Sequence, residues 1–262
     1  MNSPVVQAEN ICVYLNGTEV LHGLNFEIAK SQHTFILGPN GAGKTTLVKL
    51  LLGHLYPAIG GKLEVLGRRF GKDDIRELRR HIAVASPLLN GFASDTMTGL
   101  ELVLSGLDSA LGIFRKYSAG EKEKALSQLE KFNCAQLADR RFCEMSSGEQ
   151  IRILICRALV VSPELLILDE PSVFLDPAGR EKLLSELNGL PDAVPGLTML
   201  FITQRTEDIL PCFKNGLLLS QGRIYDSGAA ENLLTEEKLS RVFNINIKLV
   251  SGANGRLWSV CG

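Results

Sequence analysis

The chain has 262 residues, of which 45% are hydrophobic and 22% charged, a composition typical of a globular protein. This length predicts one large domain with subdomains. The formal net charge of −1 gives no support for a polyanion-binding surface, so nucleic acid is not expected as a partner.

Six cysteines are scattered along the chain, without the close spacing or neighbouring histidines of a zinc site. We expect them to be reduced and mostly buried, as small hydrophobic residues. The polar and acidic first residues do not match a signal peptide. No stretch reaches the roughly 18 uninterrupted apolar residues of a membrane helix. A cytoplasmic location is therefore expected.

The pattern of apolar residues predicts strands and helices in turn along the chain. The predicted elements begin with strands and hairpins over 1–30 with a turn at 16–18, a strand, glycine-rich turn and helix over 33–55, and a strand over 60–67. A charged helix and a strand over 73–86 come next, then helices from 87 to about 147 with loops near 90–98 and 115–121. The last predicted elements are a helix over 149–163, strands over 165–171 and 197–203, a hairpin over 216–224 and two strands around "GANG" in the tail.

This order predicts an α/β fold with a mainly helical insertion between about 87 and 150. The strands at 165–171 and 197–203 are continuously apolar, which is typical of a parallel sheet buried on both faces. One domain over 1–262 is expected, consisting of a core and β subdomain (about 1–86 and 160–228), a helical subdomain (about 87–159) and a β/α tail (229–262).

The segment "GPNGAGKT" (38–45) fits the pattern G-x-x-x-x-G-K-[ST] between a strand and a helix. Its glycines permit a tight path that turns consecutive N–H groups toward an anion. Lys44 would place its charge against the terminal phosphates, and Thr45 would offer a hydroxyl to Mg²⁺. The alternative is an ordinary glycine-rich turn. The predicted nucleotide-binding residues here are Gly38, Pro39, Asn40, Gly41, Ala42, Gly43, Lys44, Thr45 and Thr46.

Two carboxylates, Asp169 and Glu170, lie at the carboxyl end of the apolar strand "LLILDEP". Ligands bind at the carboxyl ends of strands in a doubly wound sheet. A single Asp there can also cap a helix. Beside a phosphate loop, Asp169 is interpreted as a partner of Mg²⁺. Glu170 is then the general base that polarises the water attacking the γ-phosphate.

The segment "MSSGEQIRILICRALVVSPELLILDEPSVFLD" (145–176) resembles the ATPase domain of the ABC (ATP-binding cassette) superfamily. In that family a signature close to LSGGQ precedes a helix and then the Asp-Glu pair, and the motifs here occur in family order over nearly the whole chain. The resemblance implies a P-loop NTPase (RecA-like) core with a mainly parallel sheet, an N-terminal antiparallel β subdomain and a helical insertion. It also implies ATP and Mg²⁺ as cofactors.

By this resemblance, two copies would close head to tail on two ATP molecules. The signature of one subunit would cap the γ-phosphate held by Lys44 of the other, although "SSGE" would also serve as a plain helix cap. Tyr14 matches the aromatic residue that stacks on adenine, with a core position as the alternative. Asp176 matches the D-loop Asp at the dimer interface. The implied signature residues are Ser146, Ser147, Gly148 and Glu149.

Two departures from the family pattern concern catalysis. Family members usually carry a Gln that contacts Mg²⁺ after the strand that is here "IAVA", whereas this chain has Ser86 and Pro87. Ser86 could bind Mg²⁺ only through its short hydroxyl. The family's His at the γ-phosphate is replaced by Gln204, whose amide can donate a hydrogen bond but cannot titrate near neutral pH. The neighbouring Arg205 would add a charge or lie in solvent.

The prediction is an ATPase subunit that hydrolyses ATP slowly, works as a dimer and drives a separate membrane permease. A homodimer is simplest, and a heterodimer with a partner that holds the usual Gln and His stays open. The permease would dock on the helical insertion, including Leu88 and Leu89, and hold the chain at the inner face of the membrane. One alternative is a non-transport ABC switch with weakened hydrolysis, and another is a nucleotide-binding module without turnover. Residues 101–117 and 205–224 are similar to the metal-ion and molybdate-associated branch.

Overall fold

The computed structural model describes residues 4–75, 77–88, 96–109, 112–252 and 255–262. The strands are β1 (Val6–Leu15), β2 (Thr18–Ile28), β3 (Thr34–Leu37), β4 (Lys62–Val65), β5 (Arg68–Arg69), β6 (Ile82–Ala85), β7 (Leu165–Asp169), β8 (Thr198–Thr203), β9 (Asn215–Ser220), β10 (Arg223–Ala229), β11 (Ile247–Ser251) and β12 (Leu257–Cys261). The α-helices are α1 (Lys44–Leu51), α2 (Gly99–Ser105), α3 (Ala119–Lys131), α4 (Ser147–Leu159), α5 (Pro177–Asn188), α6 (Leu190–Ala193), α7 (Ala230–Leu233) and α8 (Glu236–Phe243).

Contacts divide the chain into two compact units. The first contains the residues up to Leu78 together with Val194–Gly262, and the second contains Arg79–Ala193. These limits do not coincide with the predicted subdomain boundaries, which stay a prediction. Among the described residues, no helix has both the length and the apolar character that crossing a membrane requires.

The first unit contains an antiparallel sheet of strand order β2-β1-β4-β5. The tight turn between β1 and β2 lies at Asn16 and Gly17, whose φ angles are 50° and 80°. Two consecutive positive φ angles match the twist of a two-residue hairpin, and Asn-Gly is the sequence that adopts them most readily. The predicted N-terminal hairpin and antiparallel subdomain are therefore confirmed.

The same unit contains a buried, mainly parallel sheet of order β10-β9-β3-β8. The central strand β3 is buried at every residue and runs parallel to both neighbours, so that Leu37 pairs with Thr203 on one side and Leu218 on the other. Burial on both faces explains why these strands are continuously apolar. The three strands therefore end at one edge, where the segments that follow Leu37 and Thr203 emerge side by side.

The tail of the first unit forms a hairpin of β11 and β12, as its sequence predicts. Residues 253–254 of the "GANG" segment lie outside the described residues. The Trp258 ring packs directly on Gly252, where an added Cβ would come within 1.9 Å of a ring carbon. A residue with a side chain at position 252 would therefore displace the indole.

The second unit pairs β6 and β7 in parallel and packs helices α2 and α3 against α4. Helix α4 buries two arginines, Arg152 and Arg157. Arg152 forms an ion pair with Glu186 of α5 at 2.8 Å, and Arg157 donates to the Ser105 hydroxyl at 3.2 Å. Burial lowers the pKa of Arg157 to about 10. These partners offset the free-energy cost of burying the two charges in the protein interior.

Three predicted features differ from the structure. Of residues 73–80, those that the structure describes (73–75 and 77–80) form only a 3-10 turn at Glu77–Arg80 instead of a helix, because Asp73 accepts a hydrogen bond from the Arg69 amide and closes a local turn. Helix α4 ends at Leu159 rather than near Pro163, and Ser162 has a φ of 53° that no α-helix continues through. The six cysteines form no disulfide, and only Cys134 and Cys156 are buried, whereas the prediction was that most of them are.

Candidate functional site

The glycine-rich loop connects β3 to α1 in the first unit and is shaped by close backbone packing. The Gly38 N–H donates to the Thr203 carbonyl at 3.4 Å. A Cβ at position 38 would lie 2.1 Å from the Leu219 carbonyl oxygen of β9, so only glycine fits. Gly41 and Gly43 have φ angles of 75° and 99°, in the left-handed region that glycine adopts without strain.

Lys44 begins helix α1 and is only 5% exposed. Its ammonium group donates to the Gly38 carbonyl at 2.8 Å and the Pro39 carbonyl at 3.0 Å, within the loop itself. The N-cap is Gly43, which has no side chain to cap the first N–H groups of the helix. The helix therefore presents backbone donors and the positive end of its dipole beside a buried cation, which together favour an anion.

The other loop residues differ in exposure. Thr45, Asn40 and Gly41 are exposed, whereas Ala42 and Thr46 are buried. The exposed Thr45 is thus accessible to a ligand from solvent, whereas the buried Thr46 anchors the start of the helix in the core.

A second turn, between β9 and β10, holds the loop in place. The Gly222 N–H donates to the Ala42 carbonyl at 3.0 Å, and the Gly222 carbonyl accepts from the His22 N–H at 2.8 Å. The sequence predicts the turn at Gln221-Gly222 but not this contact. The only sequence signal is the glycine, which is required because a Cβ there would lie 2.1 Å from the Val20 carbonyl.

Gln204 follows β8 and is half-buried. It comes directly after the register pair of Leu37 and Thr203, so it leaves the sheet beside the start of the glycine-rich loop. The Thr203 hydroxyl accepts from the Arg205 N–H at 3.0 Å and donates to Asp208 at 3.2 Å. Both chain neighbours of Gln204 are therefore fixed. Arg205 is half-buried rather than fully solvated.

Tyr14 lies near the end of β1 opposite Glu19 of β2. Its side chain is 54% exposed, so the alternative of a core aromatic residue is excluded. The Glu19 charge raises the pKa of Tyr14, which keeps the phenol neutral and able to stack on a base.

The second unit carries Asp169 and Glu170 at the carboxyl end of β7. Asp169 is 6% exposed. Glu170 has a φ of 49°, a left-handed conformation that non-glycine residues adopt at a cost and that is concentrated at functional sites. Asp169 does not cap the following helix, since the N-cap of α5 is Asp176, which accepts from the Gly179 N–H at 2.7 Å.

Ser86 directly follows β6 and is 4% exposed. Its hydroxyl accepts a hydrogen bond from the Leu88 N–H at 3.3 Å and so shapes the turn through Pro87. Leu88 is 63% exposed, whereas Leu89 lies outside the described residues.

The predicted signature opens helix α4 with a capping box. Glu149 donates its N–H to the Ser146 hydroxyl and accepts from the Ser146 N–H at 2.8 Å. These contacts, first the one to the Ser146 amide, lower the pKa of Glu149, and Arg140 lies 3.1 Å away. The Ser147 hydroxyl donates to the Phe174 carbonyl at 2.8 Å, so the structure brings the signature and the segment before Asp176 together.

Comparisons with known proteins identify the family. A family model described as ABC transporter matches residues 21–173. The chain is 36% identical over 247 residues to the uncharacterized ABC transporter ATP-binding protein YlmA of Bacillus subtilis, covering 94% of this chain and 93% of that protein. The chain belongs to the ABC transporter family.

Further similarities agree with that assignment. The zinc uptake system ATP-binding protein ZurA of Listeria monocytogenes is 31% identical, with 87% of each chain covered. A solved ABC transporter described as of the metal-chelate type, in an inward-facing conformation, superimposes with a TM-score of 0.82 at 28% identity, covering 99% of this chain and 98% of that one. The predicted P-loop NTPase fold is confirmed. The chain is an ATP-binding, ATP-hydrolysing subunit of its family, and the non-transport switch is not favoured.

Proposed function

We propose that the chain binds Mg-ATP with the residues singled out above, closes as a dimer and drives a separate membrane permease. The observation that carries the proposal is the buried Lys44 ammonium group at the uncapped N-terminus of α1. Loop carbonyls now accept from it, and phosphate oxygens would be stronger acceptors because their hydrogen bonds are charge-assisted.

In this proposal the loop residues from Gly38 to Thr46 bind the phosphate groups through backbone N–H donors. Tyr14 stacks on the adenine, which its exposure permits. Gln204 donates an amide hydrogen bond to the γ-phosphate, and its position after the Leu37–Thr203 pair supports that role. Because an amide carries no charge, Gln204 orients the phosphate without taking a proton from it.

The proposed Mg²⁺ ligands or partners are Thr45, Asp169 and Ser86. A hydroxyl and a carboxylate are hard oxygen donors, so these residue types fit the ion. Bound Mg²⁺ would neutralise charge that develops on the phosphates. Glu170 accepts the proton of the attacking water, and the unusual backbone conformation at Glu170 supports its assignment as the general base.

The dimer is proposed from the exposed signature. Ser146 and Ser147 are exposed at the N-terminus of the 13-residue helix α4, where backbone donors and the helix dipole favour an anion. The signature, including Gly148 and Glu149, would cap the γ-phosphate held by Lys44 of the other subunit, with Asp176 at the interface. A homodimer is the simplest assembly, and a heterodimer is the alternative outcome.

The permease is proposed to dock on the helical insertion at the inner face of the membrane, which would make the chain a peripheral cytoplasmic protein. The exposed Leu88 supports this surface. Leu88→Glu should release the chain from membranes that contain the permease. Ile59→Glu, which also changes an exposed apolar residue but in the first unit, is the control. Equal membrane binding of both variants would contradict the docking surface.

The metal-associated branch is also a proposal. It is supported by the ZurA relative, which serves a zinc uptake system, and by the metal-chelate type transporter. The content of a metal or metal chelate should therefore differ between cells that lack the chain and cells that have it, and elemental analysis would measure this difference. An unchanged metal content with another solute affected would overturn this assignment.

The first experiment is Mg²⁺-dependent ATP turnover by the purified full chain, compared with three variants. Glu170→Gln should abolish turnover while ATP still binds. Glu123→Gln, at an exposed position of α3, should turn over normally. Gln204→His should turn over faster if the native glutamine slows the site. Turnover that persists in Glu170→Gln would contradict the general-base assignment.

A further inference from the structure

The tail hairpin contacts the turn that follows Gln204. Arg256, directly before β12, is only 6% exposed, and its Nε donates to the Glu207 carbonyl at 2.8 Å. Glu207 lies in the 3-10 turn Thr206–Asp208. A buried guanidinium group is expensive unless its donors are satisfied, so this contact fixes the turn as much as it fixes the arginine.

The orientation of Arg256 is itself determined by the hairpin. Its guanidinium carbon lies 5.0 Å from the centre of the Trp258 ring, within the range of a cation–π contact. The ring occupies the space that Gly252 leaves open, and the Gly252 N–H donates to the Arg256 carbonyl at 2.8 Å. The planar guanidinium group therefore lies between the Trp258 indole and the Glu207 carbonyl, which both fix its orientation.

Hydrogen bonds lead from this turn back to both chain neighbours of Gln204. The Asp208 N–H donates to the Arg205 carbonyl at 3.4 Å, and the Asp208 carboxylate accepts from the Thr203 hydroxyl at 3.2 Å. The same hydroxyl accepts from the Arg205 N–H. The backbone on either side of Gln204 is thus hydrogen-bonded to the turn that Arg256 contacts.

We propose that Arg256 is a positioning residue that sets the backbone of Gln204 and thereby the distance from its amide to the γ-phosphate. The inference rests on the proposed role of Gln204. A glutamine side chain has three rotatable bonds and no charge to draw it toward phosphate, so its placement depends on a fixed backbone. The hairpin supplies that constraint from a remote part of the sequence.

The test is steady-state ATP hydrolysis by the purified full chain with Arg256→Gln and Arg256→Lys. Arg256→Gln should lower kcat about tenfold with KM for ATP unchanged, because a displacement of about 1 Å at a catalytic group can cost up to about 10²-fold. Arg256→Lys should retain more activity, since an ammonium group can still donate to a carbonyl although it lacks the planar fork. Lys248→Gln, at an exposed position of the same hairpin, is the control and should match the parent.

A double-mutant cycle with Gln204→Ala separates positioning from support of the fold. If Arg256 acts through Gln204, Arg256→Gln lowers kcat in the parent but not in the Gln204→Ala background. Equal losses in both backgrounds, or a raised KM with a lowered melting temperature, would overturn the inference. If Gln204→Ala slows turnover while Arg256→Gln does not, only this inference fails. If Gln204→Ala leaves turnover unchanged, the proposed role of Gln204 fails first.

Discussion

The Gly38 amide donates to the Thr203 carbonyl across the parallel pair β3–β8. This single bond joins the first residue of the phosphate loop to the residue before Gln204. The positions of the two segments therefore depend on each other, because the parallel pairing of Leu37 with Thr203 fixes the backbone from which both emerge. A change at either end of the bond should be felt at the other.

Gly38→Ala should impair both folding and ATP binding. The new Cβ would meet the Leu219 carbonyl oxygen at 2.1 Å, and backbone on both sides must shift. Such overpacking costs about 1–3 kcal/mol. Urea unfolding and ATP-binding titration would measure the two effects. Gly120→Ala, where nothing lies within 4 Å, is the control and should be at least as stable as the parent, because alanine is the better helix former in α3. A Gly38→Ala variant that bound ATP normally would contradict the packing argument.

Glu149 and Arg140 should have opposite effects on the ATP-driven dimer. The lowered pKa of Glu149 keeps a carboxylate at the helix end where the γ-phosphate is proposed to bind, and Arg140 partly neutralises it. Glu149→Gln keeps the capping box and removes the charge. It should lower the ATP concentration needed for dimerisation by about two- to fivefold, and Arg140→Gln should raise it similarly, the range expected for an exposed ion pair.

Analytical ultracentrifugation in a Glu170→Gln background, where turnover does not deplete ATP, would measure this dimerisation. Shifts of the same sign in the two variants would show that the pair acts through the fold of α4 rather than through charge.

Asp176 should separate a capping role from an interface role. Asp176→Ala removes the acceptor for the Gly179 N–H and should destabilise the chain by about 0.5–2 kcal/mol. Asp176→Asn keeps an acceptor oxygen and should unfold like the parent in urea. If Asp176 also acts at the dimer interface through its charge, the Asn variant alone should lose ATP-dependent dimerisation at normal stability. An Asn variant as unstable as the Ala variant would contradict the capping assignment.

Acid should weaken the second unit through Glu121. The hydrogen bond from Arg115, followed by those from Ser118, lowers the pKa of Glu121 to about 2. Its unfolded value is about 4.3, so its contribution is full above that pH and is lost as pH falls toward 2. In thermal melts, the difference between the parent and Glu121→Gln should shrink between about pH 5 and pH 2. A difference that stays constant over that range would contradict this linkage.

Local chemistry could be predicted from the sequence, and distant contacts could not. The glycine loop and the carboxylates after β7 were predictable because short motifs at strand ends specify them. The contacts of Gly222 with Ala42 and of Arg256 with Glu207 join remote segments, and no local pattern encodes them. Helix α5 is not among the predicted elements, although the cap residue Asp176 followed by Pro177 is a usable signal for the start of a helix. The register of the strands could not be predicted either, because continuously apolar strands have no alternation of apolar and polar residues that would specify which residues pair.

The left-handed backbone at Glu170 places stability and catalytic activity in conflict. Glycine would relieve that conformation at little steric cost, and removing a carboxylate from a partly enclosed strand end would lessen repulsion with Asp169. Selection for heat resistance alone should therefore favour glycine at position 170. By the proposed role of Glu170 as general base, the resulting chain would be more stable but would no longer hydrolyse ATP. Any engineering of this subunit for longevity has to score turnover and melting together.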